Sequence, residues 1–169
     1  MKAAVVYVSK TGVTAGIAEK IAEGLTLGGL EAKAFAYHDI DLEWMEESKC
    51  VIIGTPTYYT DAAAETTAFL ETLGKYKVAG KLGGAFATAQ YAWGGNEMAM
   101  MNILVHEMFF GMMVYSGGGV AGNPPIHLGP IAIGSAEYDW NALAVDDGKR
   151  MAAQTKAVFG EKASKRSRQ

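Results

Sequence analysis

A single cysteine, Cys50, stands among 169 residues, and one thiol cannot build a disulfide framework. Charge is scarce as well: charged residues make up 20% of the chain against 50% apolar, which excludes a disordered, self-repelling segment. Long apolar runs are missing too. The longest uncharged stretch, Met108 to Ala136, is interrupted by glycines and by Pro124, Pro125 and Pro130, so it does not make a membrane helix. About six apolar residues follow Met1-Lys2 before Ser9-Lys10, too few for a signal peptide. These absences lead to the expectation of a soluble, cytoplasmic protein with no membrane partner. Its length suits one α/β-sized domain over residues 1–160.

The formal net charge of −3 is unevenly spread. From Lys149 onward seven Lys/Arg face Glu161 alone, while the residues before carry eight basic and seventeen acidic groups, a balance of −9. An acidic body repels nucleic acid and attracts basic proteins. The basic C-terminal tail at 161–169 has no aromatics to stack on bases and reads as a solvated end.

Along the chain, β-rich apolar runs alternate with helical periods. Ala3 to Val8 reads as a strand buried on both faces. A helix follows, with Val13, Ile17, Ile21 and Leu25 at i, i+4 spacing, stopped by Gly28-Gly29. Further strands are expected at 31–37, 50–53, 84–87 and 112–115, and further helices at 61–73, 96–110 and 141–159. This order predicts a parallel, doubly wound sheet with its ligand site beyond the carboxyl ends of the strands.

Three strand-end loops carry chemistry there. Ser9, Lys10, Thr11, Gly12, Val13 and Thr14 place three hydroxyls and a glycine where the first strand turns into a helix. Free backbone N–H groups, the helix dipole and the hydroxyls together suit a phosphate. A plain N-cap needs one such hydroxyl. The Gly-Lys pairs at 74, 80 and 148 lack the Ser/Thr of a Walker loop. The second loop holds Pro56, Thr57, Tyr58, Tyr59 and Thr60. The third holds Thr88, Ala89, Gln90, Tyr91, Trp93, Gly94 and Gly95. Two aromatic loops facing one another can stack on a flat ring, each contact giving roughly 0.5–1.5 kcal/mol beyond burial.

These loops resemble a known family. Ser-x-Thr-Gly-x-Thr after the first strand is similar to the flavodoxin phosphate signature. Gly-Thr-Pro-Thr-Tyr at 54–58 and Gly-Gly-Asn-Glu at 94–97 resemble the flavodoxin-like NAD(P)H:quinone oxidoreductases related to the tryptophan-repressor-binding protein. The resemblance implies a flavodoxin-like three-layer α/β sandwich, with a five-stranded parallel sheet in the order 2-1-3-4-5 and helices on both faces. It implies FMN as cofactor, with residues 9–14 on its phosphate and residues 56–60 and 88–95 bordering its ring. Those reductases carry Arg-Phe-Gly where this chain has Tyr58-Tyr59-Thr60, and without glycine at 60 a positive φ beside the flavin is harder to adopt.

Other signals dissolve on inspection. Gly117 to Gly122 formally matches a dinucleotide fingerprint, but Asn123-Pro124-Pro125 forbids the helix it requires. The loop from Gly117 to Leu128 splits the last strand region and is expected to fold over the ring edge. Its His127 is either a surface histidine or a proton or hydrogen-bond donor to a substrate. Met98, Met101, Val105 and Met108 share one helical face, read as core filling, with a subunit interface and hence a homo-oligomer as the alternative. No metal-ligand spacing links His38, His106, His127 and Cys50. A phospho-receiver shares this strand order, but its acidic positions read Val8-Ser9 and Gly54-Thr55 here.

Two functions remain: an FMN electron carrier acting with a redox partner protein, or an FMN-dependent NAD(P)H:quinone oxidoreductase. In either, the flavin does the chemistry and no side chain need act as acid or base. Asp39, Asp41, Glu43, Glu46 and Glu47, flanking Trp44, form a solvated helix or a docking face for a basic redox partner.

Overall fold

The structure is a computed structural model and describes residues 1–160; the basic tail at 161–169 lies outside the described residues. Its strands are β1 (Lys2–Tyr7), β2 (Glu31–Ala36), β3 (Ser48–Tyr58), β4 (Asp61–Ala62), β5 (Leu82–Ala89), β6 (Met113–Val114) and β7 (Ile131–Ile133). Its helices are α1 (Val13–Leu27), α2 (Leu42–Glu47), α3 (Ala64–Leu70), α4 (Asn96–Phe109) and α5 (Trp140–Phe159). The principal strands run β2-β1-β3-β5-β6, all parallel, which is the order 2-1-3-4-5 that the family resemblance implies.

Both faces of the sheet are covered, which explains why its central strands are unbroken apolar runs. Ala3 and Val5 join the cluster with Ile17, Ile21 and Leu25 of α1 and Met151 of α5. Ala4 and Val6 point the other way, toward Met45, Phe69, Met100 and Ile103. Side chains alternate across a strand, so each residue feeds one of two cores. The register brings Tyr7, Gly54 and Phe86 level, so the loops after β1, β3 and β5 open at one sheet edge.

Four expectations need correction. The fifth strand position is shared: β6 pairs with Leu82–Gly83, and β7 pairs with Ala87–Ala89 farther along β5. The helix expected from Asp61 begins only at Ala64, because Asp61–Ala62 turns back antiparallel on Thr57–Tyr58. Val13 is exposed rather than buried with Ile17, since it sits at the mouth of the sheet edge. On α4 the buried face is Ala99, Met100, Ile103, Leu104 and Glu107, while Met98, Met101, Val105 and Met108 are exposed. This helix is apolar almost all round, and periodicity favours the stripe without a charge. The fold instead buries the stripe that carries Glu107, whose carboxyl lies over Gly83, where β5 has no side chain.

Candidate functional site

The first loop is shaped by Gly12, which starts α1 at φ 92 with no acidic residue in the first helical turn. Ser9 Oγ accepts from the Gly12 and Ala15 N–H groups at 3.2 and 3.3 Å. Both bonds are long for N–H···O. A phosphate oxygen would offer these N–H groups shorter, charge-assisted bonds at the positive end of the helix dipole. Thr11 is exposed. Thr14 is buried, and its hydroxyl meets that of Thr88 at 2.8 Å, tying the first loop to the third. With Thr88 as donor, the Thr14 hydrogen is free to point at a ligand. Lys10 pairs with Glu65 of α3 at 2.9 Å and lies 5.1 Å from the Tyr58 ring centre. Their hydrogen bond holds the lysine above its ordinary pKa and the glutamate below its own.

The second loop is mostly strand. β3 continues through Tyr58, and the pairing Tyr58↔Asp61 leaves Tyr59 and Thr60 as a two-residue hairpin turn. Both have positive φ, 50 and 71. The register demands this: two-residue hairpins favour turns with φ > 0 at both positions. Thr60 thus adopts the positive φ that is harder for it than for glycine, at a strain of about 1–2 kcal/mol for a non-glycine residue in that region. Thr60 in turn lies on Gly95, the start of α4 at φ 85. A side-chain carbon on Gly95 would come within 2.7 Å of the Thr60 Cα, so glycine there lets the second and third loops touch. Behind them, Thr55 bonds to Thr66 and to the Ala63 N–H.

These loops enclose a cavity of about 530 Å³. Its walls are Lys10, Thr11, Val13 and Thr14; Pro56, Thr57, Tyr58, Tyr59 and Thr60; and Thr88, Ala89, Gln90, Tyr91, Trp93 and Gly94. Ser9, Gly12 and Gly95 are not in this lining; Gly12 lines a neighbouring cavity that shares Val13 and Gly134 with it. Tyr59 and Trp93 stand at the rim almost wholly in solvent, 100% and 97% exposed. Thr57 Oγ1, by contrast, is buried without a hydrogen-bond partner among the described residues, a polar atom on the wall that a ligand donor or acceptor would satisfy. Among the described residues, and apart from tyrosines, Lys10 is the one titratable side chain in the lining.

Gly134 also lines the cavity, and the sequence reading missed it. It follows β7, whose end is tied to the third loop by Gly134 N–H to Ala89 O and Ser135 N–H to Gln90 O. The signal was a glycine after the short apolar run Ile131 to Ile133, hidden because the last strand is split. His127 is not brought into this cavity. It lines a separate one of about 190 Å³ with Glu97, Met100 and Leu143. The 117–128 loop does not fold over the rim, contrary to expectation. It rests on α5, where a carbon on Gly117 would meet Asp147 Oδ1 and one on Gly122 would meet the Arg150 guanidinium.

The acidic segment divides in two. Asp39 follows β2 at the cavity's edge of the sheet, since Ala36 is level with Tyr7. Glu46 and Glu47 precede β3 at the opposite edge and are paired with Lys77 and Lys2. Asp41 caps α2 by accepting from the Trp44 N–H at 3.0 Å. Trp44 itself is structural, donating Nε1–H to the Ala3 carbonyl at 2.9 Å.

Comparison with known proteins shows the family. The family model described as Flavodoxin matches residues 5–122. The chain is 38% identical over 160 residues to a flavodoxin of Clostridium saccharobutylicum, covering 94% of this chain and 100% of that one. It is 29% identical over 118 residues to an NAD(P)H dehydrogenase (quinone) of Azorhizobium caulinodans, covering 65% of this chain and 56% of the relative. Among solved structures, a Fusobacterium nucleatum flavodoxin bound to flavin mononucleotide superposes with a TM-score of 0.67 at 21% identity, over 92% of this chain and 98% of that one.

Proposed function

The chain belongs to the flavodoxin family, whose members carry electrons on FMN, and we propose that it does so at the cavity between its three loops, exchanging electrons with a basic redox protein. FMN is its cofactor, and when bound it supplies an isoalloxazine that accepts and releases electrons. The observation that carries the site reading is the pairing of a phosphate-ready helix start, with weakly bonded Gly12 and Ala15 N–H groups, with an aromatic rim on the same cavity.

Each loop then has its own task. The Ser9–Thr14 loop anchors the phosphate, and Thr14–Thr88 holds that loop against the third. Thr57 offers its unpaired hydroxyl to the polar part of the ring system. Tyr91 or Trp93 covers one ring face, and Tyr58 or Tyr59 lies at the other face or its edge. Trp93→Ala is therefore expected to weaken FMN binding roughly tenfold, a loss of about 1–2 kcal/mol of stacking and burial, with unchanged apoprotein stability. Trp44→Ala should do the reverse, leaving FMN affinity intact and lowering the urea midpoint. Fluorescence titration and urea melts of both variants check this, and equal FMN affinities would remove Trp93 from the site.

The similarity to a quinone-reducing relative keeps an NAD(P)H:quinone oxidoreductase as the second reading. A carrier is favoured because the 117–128 loop and His127, the segment and side chain offered for a second substrate, lie off the cavity. The acidic body, with Asp39 at the ligand edge, would attract a basic partner over a Debye length of roughly 10 Å at 0.1 M salt. Transfer from the reduced, FMN-loaded protein to cytochrome c is expected to slow steeply as salt rises. Stopped-flow mixing with millimolar NADH or NADPH, without another protein, should leave the flavin oxidised. Bleaching within a second would overturn the carrier reading. Among the described residues no helix is long and apolar enough to cross a membrane, and the reducing cytoplasm is the compartment we propose, where Cys50 stays a thiol.

A further inference from the structure

Among the described residues nothing covers the outer face of α4. Met98, Met101, Val105 and Met108 are all exposed along it, Met98 at 63%, and Phe109 beside them is 81% exposed. Their spacing of three, four and three residues is that of the a and d positions in a helix–helix seam. No charged side chain interrupts the stripe. At its C-terminal end the stripe borders a cavity of about 430 Å³ lined by Glu71, Val105, His106, Phe109 and Phe110. Near its N-terminal end stands the projecting Met98, about 15 Å away at 1.5 Å per residue.

We propose that this face is a homodimer seam, in which two copies pack α4 against α4 antiparallel about a two-fold axis. Under that symmetry residue 98 of one copy meets residue 108 of the other, and 101 meets 105. Each Met98 then enters the other copy's cavity beside Val105 and Phe109, so one knob and one hole on the same helix complete each other twice. This is the self-complementarity that an isologous interface requires. A flexible thioether suits a hole of this kind. The five side chains would bury on the order of 500 Å² per copy, over half of the ~800 Å² per partner in interfaces of standard size, with Glu71, Glu97 and His106 left for the polar rim. The seam also explains how an acidic chain tolerates a second copy of itself, because the contact centres on uncharged side chains and leaves Glu71 and Glu97 at its edge. The FMN loops, which precede α4, would lie at opposite ends of the seam. The inference does not depend on which redox function the cavity serves.

Sedimentation equilibrium of the FMN-loaded full chain at 100 µM is expected to give twice the chain mass. Met101→Glu should return it to the single-chain mass, weakening association at least a hundredfold while FMN affinity and melting temperature hold. A wild type that stays monomeric at 100 µM would overturn the proposal, as would a dimer that Met101→Glu leaves intact. Orientation has its own test. A Met98→Cys, Met108→Cys double variant should form an intermolecular disulfide with oxidised glutathione, whereas either single variant should not. Crosslinking of the Met98→Cys single variant would overturn the antiparallel seam, and Cys50, being buried, does not compete.

Discussion

FMN is expected to bind about a thousandfold more tightly than riboflavin, which carries the same ring without the phosphate. Riboflavin forfeits the charge-assisted bonds that the Ser9–Thr14 loop offers, each worth about 1.5–3 kcal/mol. Two such bonds amount to about two to four orders of magnitude at 1.4 kcal/mol per decade. Thr11→Ala removes one exposed hydroxyl donor and should cost FMN roughly 10- to 150-fold, while leaving riboflavin affinity unchanged. Ser9→Ala tests a different point. Ser9 Oγ holds the Gly12 and Ala15 N–H groups, so its loss should loosen the start of α1 in the apoprotein and be partly repaired by phosphate. Flavin fluorescence quenching measures each of these affinities. Equal binding of FMN and riboflavin would mean that this loop does not hold the phosphate.

The apoprotein is expected to lose stability as pH rises from about 4 to about 7. Asp147 is buried beneath Gly117, and burial pushes its pKa from 3.8 to about 7, with Arg150 pulling it down and Asp146 pushing it further up. Between those values the folded chain holds a proton that the unfolded chain has released. Stability therefore falls with rising pH across this window and levels off above it. The shift corresponds to roughly 4 kcal/mol at 1.36 kcal/mol per pKa unit. Glu107 acts in the same direction: it is fully buried, and burial holds its carboxyl well above the usual range, against a smaller opposing pull from the Gly84 N–H. Asp147→Asn should flatten the pH dependence and raise the urea midpoint at pH 8, with little change at pH 4. Glu107→Gln should add to that gain, since a neutral amide has no ionised form to keep out of the core. Urea melts at pH 4, 6 and 8 compare each variant with wild type. A wild-type midpoint constant across that range, or an Asp147→Asn slope equal to wild type, would contradict the assignment.

The alternation of strands and helices and the chemistry of the three loops were legible in the residues, because both are written locally. A strand covered on both faces must be an unbroken apolar run, as Ala3 to Val6 and Cys50 to Ile53 are. A helix start able to take an anion carries hydroxyls and a glycine close together, as residues 9–14 do. The loops found from sequence are for that reason the loops that wall the cavity. What could not be read locally depends on what packs opposite. Two apolar stripes run along α4, and only the gap over Gly83, which admits a carboxyl, decides that the stripe with Glu107 turns inward. Thr60 takes a positive φ because the Tyr58↔Asp61 pairing leaves a two-residue turn, a constraint that no propensity for threonine contains. β7 was missed, and Gly134 with it, because three residues carry too little periodicity to announce a strand; its pairing with Ala87–Ala89 creates it. His127 was placed near the flavin by its loop's position in the chain, yet that loop rests on α5 because Asp147 and Arg150 fit beneath Gly117 and Gly122. Periodicity and turn chemistry thus determined the elements and their loops, while register and side-chain volume, which exist only once the layers meet, decided which faces are buried and which residues reach the cavity.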